Sequence, residues 1–136
     1  MKACVLDSSA IMAFFEDRPG ADQVEELLAR ATAKDPLWMS VVNWVEVYYS
    51  VWRARGEKSA AATLRDIAQL PIGIVEVDME LARLAAGLKA EWNLPYADCF
   101  AAALARTRKA ALVTSDGDFE RMASVLKIVW LRVCRD

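Results

Sequence analysis

Four acidic residues in separate parts of the chain could form one reactive site, and they are Asp7, Glu46, Asp98 and Asp116. Carboxylates within a few ångströms of one another repel, and a divalent cation between them removes that repulsion. The sequence contains no histidine and no clustered cysteines, so the ligands would be oxygen atoms, which favour Mg²⁺ or Mn²⁺ over Zn²⁺ or Cu²⁺. Water held by such a cation can act as nucleophile or proton carrier in phosphoryl transfer.

The absence of histidine excludes several other kinds of chemistry. Ser/His/Asp and Cys/His triads, imidazole acid–base catalysis and metal sites built on imidazole all require it. The cysteines Cys4, Cys99 and Cys134 show no C-x-x-C spacing, so we expect buried apolar side chains rather than disulfides or a zinc site. Unpaired cysteines are typical of a reducing compartment, and we expect a cytoplasmic protein.

Length and composition indicate one compact domain spanning residues 1–136. Hydrophobic residues make up 56% of the chain, enough to bury a substantial core without disulfides or a structural metal. Lysine and arginine number 17 against 19 acidic residues, so the overall charge gives no sign of general nucleic-acid binding. No apolar run approaches the ~18 residues that a membrane span needs, and we expect no membrane association.

Short, continuous apolar runs alternate with helical patterns along almost the whole chain. This alternation predicts an α/β fold, a three-layer sandwich with a mainly parallel sheet covered on both faces. The predicted strands are 3–6, 37–40, 73–77, 111–114 and 127–131. The predicted helices are 8–15, 22–32, 42–55, 58–70, 79–92, 96–109 and 119–124. Ser8 or Ser9 is the expected N-cap of the first helix, with Asp7 as the alternative.

This scaffold allows the four acids to converge on one edge of the sheet. Ligands of open parallel sheets bind beyond the carboxyl ends of the strands. Asp7 and Asp116 follow the first and fourth predicted strands, and Glu46 lies in the first turns of the helix after the second. Asp98 lies in the first turn of its helix, at the positive end of the helix dipole.

The segments that carry these acids are VLDSSAI at 5–11, SVVNWVEV at 40–47, LPYADCFAAALA at 94–105 and LVTSDGDFE at 112–120. In this order and at these separations they resemble the PIN-domain ribonucleases, especially the VapC-type toxins of prokaryotic toxin–antitoxin pairs. Each segment alone consists of a few common residues. The four together, in a chain of the family's usual length, are fairly specific, and the similarity covers nearly the whole chain.

The resemblance implies a five-stranded parallel sheet and Mg²⁺- or Mn²⁺-dependent endonucleolytic cleavage of structured RNA such as tRNA or ribosomal RNA. The residues that match the family's catalytic and metal-binding acids are Asp7, Glu46, Asp98 and Asp116. Ser9 and Thr114 match hydroxyl positions that orient those acids by hydrogen bonding. Asp118 matches a further acid, which would bind the metal through water. The resemblance also implies a homodimer and a small antitoxin whose C-terminal segment lies across the active-site groove.

Each acid also has a simpler structural interpretation. Asp98 alone would be an acid that complements a helix dipole, and Asp116 with Asp118 would be part of a turn. Glu46 is harder to explain in this way, because its neighbours in sequence are apolar and a buried acid needs a partner. The case for a reactive site therefore rests on the four acids jointly.

Two further features of predicted helices 42–55 and 58–70 concern possible partners. The aromatic residues of the first helix exceed what one buried face needs, and they are Trp44, Tyr48, Tyr49 and Trp52. We expect some of them in the core and the rest at an interface. The most concentrated basic group is Arg53, Arg55 and Lys58. A solvated helix end explains this group adequately, and contact with RNA phosphates is the alternative.

Two rival functions remain open from the sequence. A non-catalytic binding module of PIN fold would use the acids only to recognise an arginine-bearing partner. A metal-dependent phosphatase would also place Asp7 after a first strand, but such enzymes usually add a second acid nearby, and Ser9 stands two residues on.

Overall fold

The computed structural model of the chain describes residues 2–132, so Cys134 lies outside the described part. The strands are β1 (Cys4–Leu6), β2 (Leu37–Ser40), β3 (Ile72–Val75), β4 (Ala111–Thr114) and β5 (Ile128–Trp130). The α-helices are α1 (Ser8–Phe15), α2 (Ala21–Arg30), α3 (Val41–Arg55), α4 (Glu57–Ala68), α5 (Met79–Trp92) and α6 (Tyr96–Thr107). A 3₁₀ helix covers Gly117–Met122. Within residues 2–132, no helix is long and apolar enough to cross a membrane.

The five strands form one sheet in the order β3-β2-β1-β4-β5, and every neighbouring pair is parallel. Successive side chains of a strand point to opposite faces of the sheet. Leu6 and Val113 therefore pack with helices α1 to α4, whereas Val5 and Leu112 pack with α5 and α6. The predicted three-layer α/β sandwich with a parallel five-stranded sheet is confirmed.

Element boundaries differ from the prediction by a few residues, for local reasons. Strand β3 ends at Val75 rather than at 77, because its pairing with β2 stops opposite Ser40. Helix α6 ends at Thr107 rather than at 109, and Lys109 adopts a left-handed backbone with φ of 51°. The expected helix 119–124 is a 3₁₀ helix that begins earlier, directly after Asp116.

Asp7 caps the first helix, and the prediction that Ser8 or Ser9 caps it is wrong. The carboxylate of Asp7 accepts a hydrogen bond from the backbone N–H of Ala10 at 3.0 Å. Since one acidic side chain satisfies the helix terminus, both serine hydroxyls are available to other partners at the same sheet edge.

The aromatic residues of α3 are divided between the core and the surface. Trp44 and Tyr48 pack against the core that the sheet forms with α1, α2 and α4. Tyr49 and Trp52 are exposed, and so is Val45. These three exposed residues are spaced four and three apart, so they lie on one helix face, called the α3 apolar stripe below.

Close packing between β2 and β3 generates a stability prediction. Gly73 pairs with Trp38 across the two strands, and a methyl group at Gly73 would lie 2.6 Å from the tryptophan ring. The ring also carries the Arg108 guanidinium 3.8 Å from its centre, so a shift of the ring disturbs a second contact. We expect Gly73→Ala to lower the free energy of unfolding by about 1–3 kcal/mol, measured by urea denaturation.

Gly87 provides the matched control. It lies inside α5, and a methyl group added there would meet nothing within 4 Å. Gly87→Ala should therefore raise stability by up to about 1 kcal/mol through helix propensity. A Gly73→Ala protein as stable as the unaltered chain would contradict this description of the β2–β3 contact.

Candidate active site

The four acids predicted to act together lie at the carboxyl edge of the sheet. Asp7 follows β1 and caps α1, and Asp116 follows β4 and caps the 3₁₀ helix. Glu46 is in the second turn of α3, which leaves β2, and Asp98 is in the first turn of α6. Because the strands are parallel, their carboxyl ends and the residues that follow them meet at one edge.

Asp7 is almost completely buried, with 2% of its surface exposed, and each of its oxygens is hydrogen-bonded. Ser9 donates to Oδ1 at 2.6 Å, and Thr114 donates to Oδ2. The two hydroxyl groups also lie 3.2 Å from each other. Burial raises the pKa of Asp7 to about 6, although the hydrogen bonds from Ser9 and Thr114 oppose that shift.

Ser9 and Thr114 also fix the backbone that leaves β4. The N–H of Ser115 donates to the Ser9 hydroxyl at 3.0 Å, and the N–H of Asp116 donates to the Thr114 hydroxyl at 2.9 Å. The same two hydroxyl groups thus orient Asp7 and hold the start of the segment that carries Asp116.

A group of three acids consists of Asp98, Asp116 and Asp118, each of which offers one carboxylate oxygen within 4.8 Å of those of the other two. Asp98 is 6% exposed, and its Oδ2 is buried without a hydrogen-bond partner among the described residues. The backbone N–H of Asp118 donates to Asp116 Oδ1 at 2.9 Å, so the 3₁₀ helix holds both acids. The structure brings Asp118 into this group as closely as the two acids expected to bind metal directly.

The pKa of Asp98 is raised to about 8. Burial is the largest cause, followed by the charge of Asp116 and a hydrogen bond to it, and then by the charges of Asp7 and Glu46. Asp98 therefore interacts with each of the other three predicted acids, and the four form one electrostatic unit.

Glu46 lies at the margin of this unit and is half-buried. The Ser8 hydroxyl donates to its Oε1, which connects α1 to α3. Its sequence neighbour Val45 is exposed, so the apolar neighbours of Glu46 do not form a continuous buried face as expected. Ser8 received no role beyond capping in the sequence analysis. A signal was present, because Asp7 as the cap leaves Ser8 in the first helical turn at the edge that Glu46 faces.

Asn43 is a second residue for which we predicted no role. It is fully buried, and its amide N–H group donates to the Ala97 carbonyl at 3.3 Å. Its Oδ1 is buried and has no partner among residues 2–132. Asn43 connects α3 with the first turn of α6, the helices that carry Glu46 and Asp98. The spacing of three residues between Asn43 and Glu46, on one helix face, could have identified it.

The chemistry of these groups fits a divalent cation. All the candidate ligands are carboxylate oxygens, which Mg²⁺ and Mn²⁺ prefer. Asp98 presents a buried acceptor atom without a donor, and an unpaired buried acceptor is costly. A cation would offset both the repulsion and the unpaired oxygen, so the acidic group could bind a metal.

The basic group Arg53, Arg55 and Lys58 lies away from the acids along α3. Glu46 and Arg53 are seven residues apart, which is roughly 10 Å along a helix axis. Arg55 forms an ion pair with Glu16 at the end of α1. Contact between this group and RNA stays a prediction.

The raised pKa values predict how the metal-free protein responds to pH. Asp7 and Asp98 bind protons more tightly when folded than when unfolded, because their folded pKa values lie above the ordinary value of 3.8. The stability from these protons is fully present below about pH 4 and is lost as pH rises through about 6 and about 8. With EDTA present, we expect the urea midpoint to fall between pH 5 and pH 8.5, Asp7 alone accounting for about 1.4 kcal/mol of the loss in that window.

Because the chain has no histidine, few other side chains titrate between pH 5 and pH 8.5, and the pH dependence of the urea midpoint can be assigned to these acids. Added Mg²⁺ should restore the midpoint at pH 8, and Asp98→Asn should flatten its fall. A urea midpoint that stays level or rises from pH 5 to pH 8.5 would contradict this prediction. It would show that folding does not disfavour the ionised forms of Asp7 and Asp98.

Comparisons with known proteins agree with this geometry. The family model described as PIN domain matches residues 4–125. No curated protein sequence matches the chain. Solved structures do match, among them VapBC-5 of Mycobacterium tuberculosis, with 25% identity, a TM-score of 0.67, and coverage of 98% of this chain and 100% of that one.

Two other similar structures have lower identity and higher TM-scores. The sarcin–ricin loop cleaving toxin VapC20 of Mycobacterium tuberculosis is 17% identical, with a TM-score of 0.74. The DNA-bound VapBC of Salmonella typhimurium is 16% identical, also with a TM-score of 0.74. Each alignment covers 96% of this chain and 99% of the other. Because the family model covers residues 4–125, which include strands β1 to β4 and all the predicted site residues, the chain belongs to the PIN domain family.

Proposed function

We propose that the protein is a Mg²⁺- or Mn²⁺-dependent endoribonuclease that acts as the toxin of a toxin–antitoxin pair. The observation that carries the proposal is the buried Asp98 carboxylate, which has an unpaired oxygen and interacts with three other acids. An apolar residue at position 98 would avoid both the burial of a charge and the repulsion from the other acids. Retention of the group is explained by a bound cation.

We assign the metal ligands of such a site as follows. Asp98, Asp116 and Asp118 would hold the cation, since each offers one oxygen within 4.8 Å of those of the other two. Asp7, held by hydrogen bonds from Ser9 and Thr114, would complete the ligand set from the β1 side. The cation would supply Lewis-acid activation of water and of a phosphate oxygen.

Glu46 differs from the other acids in ways that suit proton transfer. It is only half-buried, and the Ser8 hydroxyl holds one of its oxygens. A carboxylate in this position can accept a proton from attacking water, as histidine does in other nucleases. Because the chain has no histidine, any proton transfer by a side chain falls to another group, and we assign it to the Glu46 carboxylate.

Similar structures support the choice of substrate and partner. Several are described as toxin–antitoxin complexes, among them those from Klebsiella pneumoniae and Haemophilus influenzae, and one as a toxin that cleaves the sarcin–ricin loop. By analogy we propose structured RNA, such as tRNA or ribosomal RNA, as the substrate class, and therefore activity in the cytoplasm. The analogy extends to a small cognate antitoxin and to a homodimer. The α3 apolar stripe offers exposed area for a protein partner.

Cleavage of RNA by the antitoxin-free protein tests the proposal. A pool of tRNA and ribosomal RNA would be incubated with Mg²⁺, with Mn²⁺ or with EDTA, and cut sites mapped by primer extension. We expect discrete cuts with either metal and none with EDTA. Asp98→Asn should reduce the rate by roughly 100-fold or more, because a ligand of the cation is lost.

Asp78→Asn is the matched control. Asp78 is an acid at the start of α5 that caps the helix by accepting from the Leu81 N–H at 2.8 Å, and asparagine retains that acceptor. This variant should cleave at the unaltered rate. Metal-independent cleavage, or equal rates for Asp98→Asn and the unaltered chain, would contradict the proposal. Metal binding without any cleavage would favour the non-catalytic module, and release of phosphate from monoesters alone would favour the phosphatase.

A further inference from the structure

The loop between α5 and α6 borders the acidic site. Helix α5 ends at Trp92 and α6 begins at Tyr96, so Asp98 lies two residues beyond the loop. The 3₁₀ helix that carries Asp118 also contacts the loop, because the Arg121 guanidinium donates to the Trp92 carbonyl. The loop is therefore connected to Asp98 through α6 and to Asp118 through the 3₁₀ helix.

Tyr96, the first residue of α6, presents an aromatic ring to solvent directly after this loop. It is 68% exposed, yet the structure constrains the ring. The Lys89 ammonium lies 4.9 Å from the ring centre, and the same ammonium donates to the Leu94 carbonyl at 2.8 Å. Leu94 itself is buried, so the Lys89 ammonium is bonded to a buried residue of the loop. The Lys89 ammonium therefore contacts the ring of Tyr96 although most of the side chain is exposed.

Positive charge around the loop between α5 and α6 is the second observation. An RNA strand that reaches the site must approach several carboxylates, which repel its phosphates. Lys89 of α5 donates to the Leu94 carbonyl in the loop, and Arg121, which is exposed and lies on the 3₁₀ helix that carries Asp118, donates to the Trp92 carbonyl at the end of α5. The guanidinium uses one N–H group on the Trp92 carbonyl and keeps others for a phosphate.

We propose that Tyr96, Lys89 and Arg121 form the surface that binds the nucleotide next to the cleaved phosphate. The base stacks on the ring of Tyr96, and the two cations contact the flanking phosphates. A base that stacks on a protein ring has left its helix, so the substrate at this position is an unpaired nucleotide in a loop or bulge. This inference rests on the proposed function and adds to it the class of nucleotide that the site accepts.

Binding and cleavage measured separately test this surface. A fluorescein-labelled RNA hairpin with an unpaired loop, and a fully paired duplex of equal length, would be titrated by fluorescence anisotropy. The protein would carry Asp98→Asn to prevent cleavage. Adding Tyr96→Ala should weaken hairpin binding roughly 5- to 150-fold and leave duplex binding unchanged, whereas Tyr96→Phe should bind as Tyr96 does.

A hairpin whose loop carries abasic nucleotides separates the base from the phosphates. Tyr96→Ala should have no effect on binding of the abasic hairpin, because no base remains to stack. Arg121→Gln should weaken binding of the normal and abasic hairpins by the same factor. Met79→Ala, which removes an exposed apolar side chain at the opposite end of α5, is the control and should change neither.

The outcomes distinguish this inference from the function on which it rests. Equal hairpin binding with and without Tyr96→Ala, or an equal loss on normal and abasic hairpins, overturns the stacking surface even if the unaltered protein cleaves RNA. A base-dependent loss at Tyr96 in a protein that cleaves no RNA with Mg²⁺ or Mn²⁺ supports the surface and contradicts the nuclease. Base-dependent binding together with metal-dependent cleavage supports both.

Discussion

Negative charge is crowded into the carboxyl edge of the sheet, where Asp7 and Asp98 are both buried. Desolvation and mutual repulsion each disfavour the charged forms, and both carboxyl groups respond with raised pKa values. The fold nevertheless holds the acids there by parallel strand order, because β1 and β4 are neighbours and β1 ends opposite Val113, one residue before the end of β4. The remaining features of the site either orient these acids or reduce the repulsion between them.

A hydroxyl network orients them. Ser9 and Thr114 bind the two oxygens of Asp7 and fix the backbone leading to Asp116, so β1 and β4 are linked at their ends by side chains as well as by the sheet. On the other side, Ser8 and Asn43 connect α1, α3 and α6 around Glu46. Two of the four acids also serve as helix caps, which gives their carboxylates a structural role that does not depend on metal.

Much of this arrangement was predictable from the sequence because it depends on local patterns. The strands 37–40 and 111–114 are apolar runs with clear ends, and the structure places β2 and β4 at those bounds. Placement of the acids followed from a general property of parallel sheets rather than from any single motif. The cap of α1 was harder to predict, because Asp7, Ser8 and Ser9 are all good N-caps and only tertiary contacts decide among them. The closeness of Asp118, the role of Asn43 and the ring held by Lys89 depend on contacts between distant elements.

Proton release on metal binding tests the central claim, that the acids form one unit made to hold a divalent cation. With a pKa of about 8, Asp98 is largely protonated at pH 7 in the metal-free protein and must lose its proton when a cation binds. Calorimetric titration with Mn²⁺ in buffers of different ionisation enthalpy measures this directly. The account predicts release of about one proton per bound ion at pH 7, with the release lost in Asp98→Asn. Binding without proton release, or no binding at all, would contradict it.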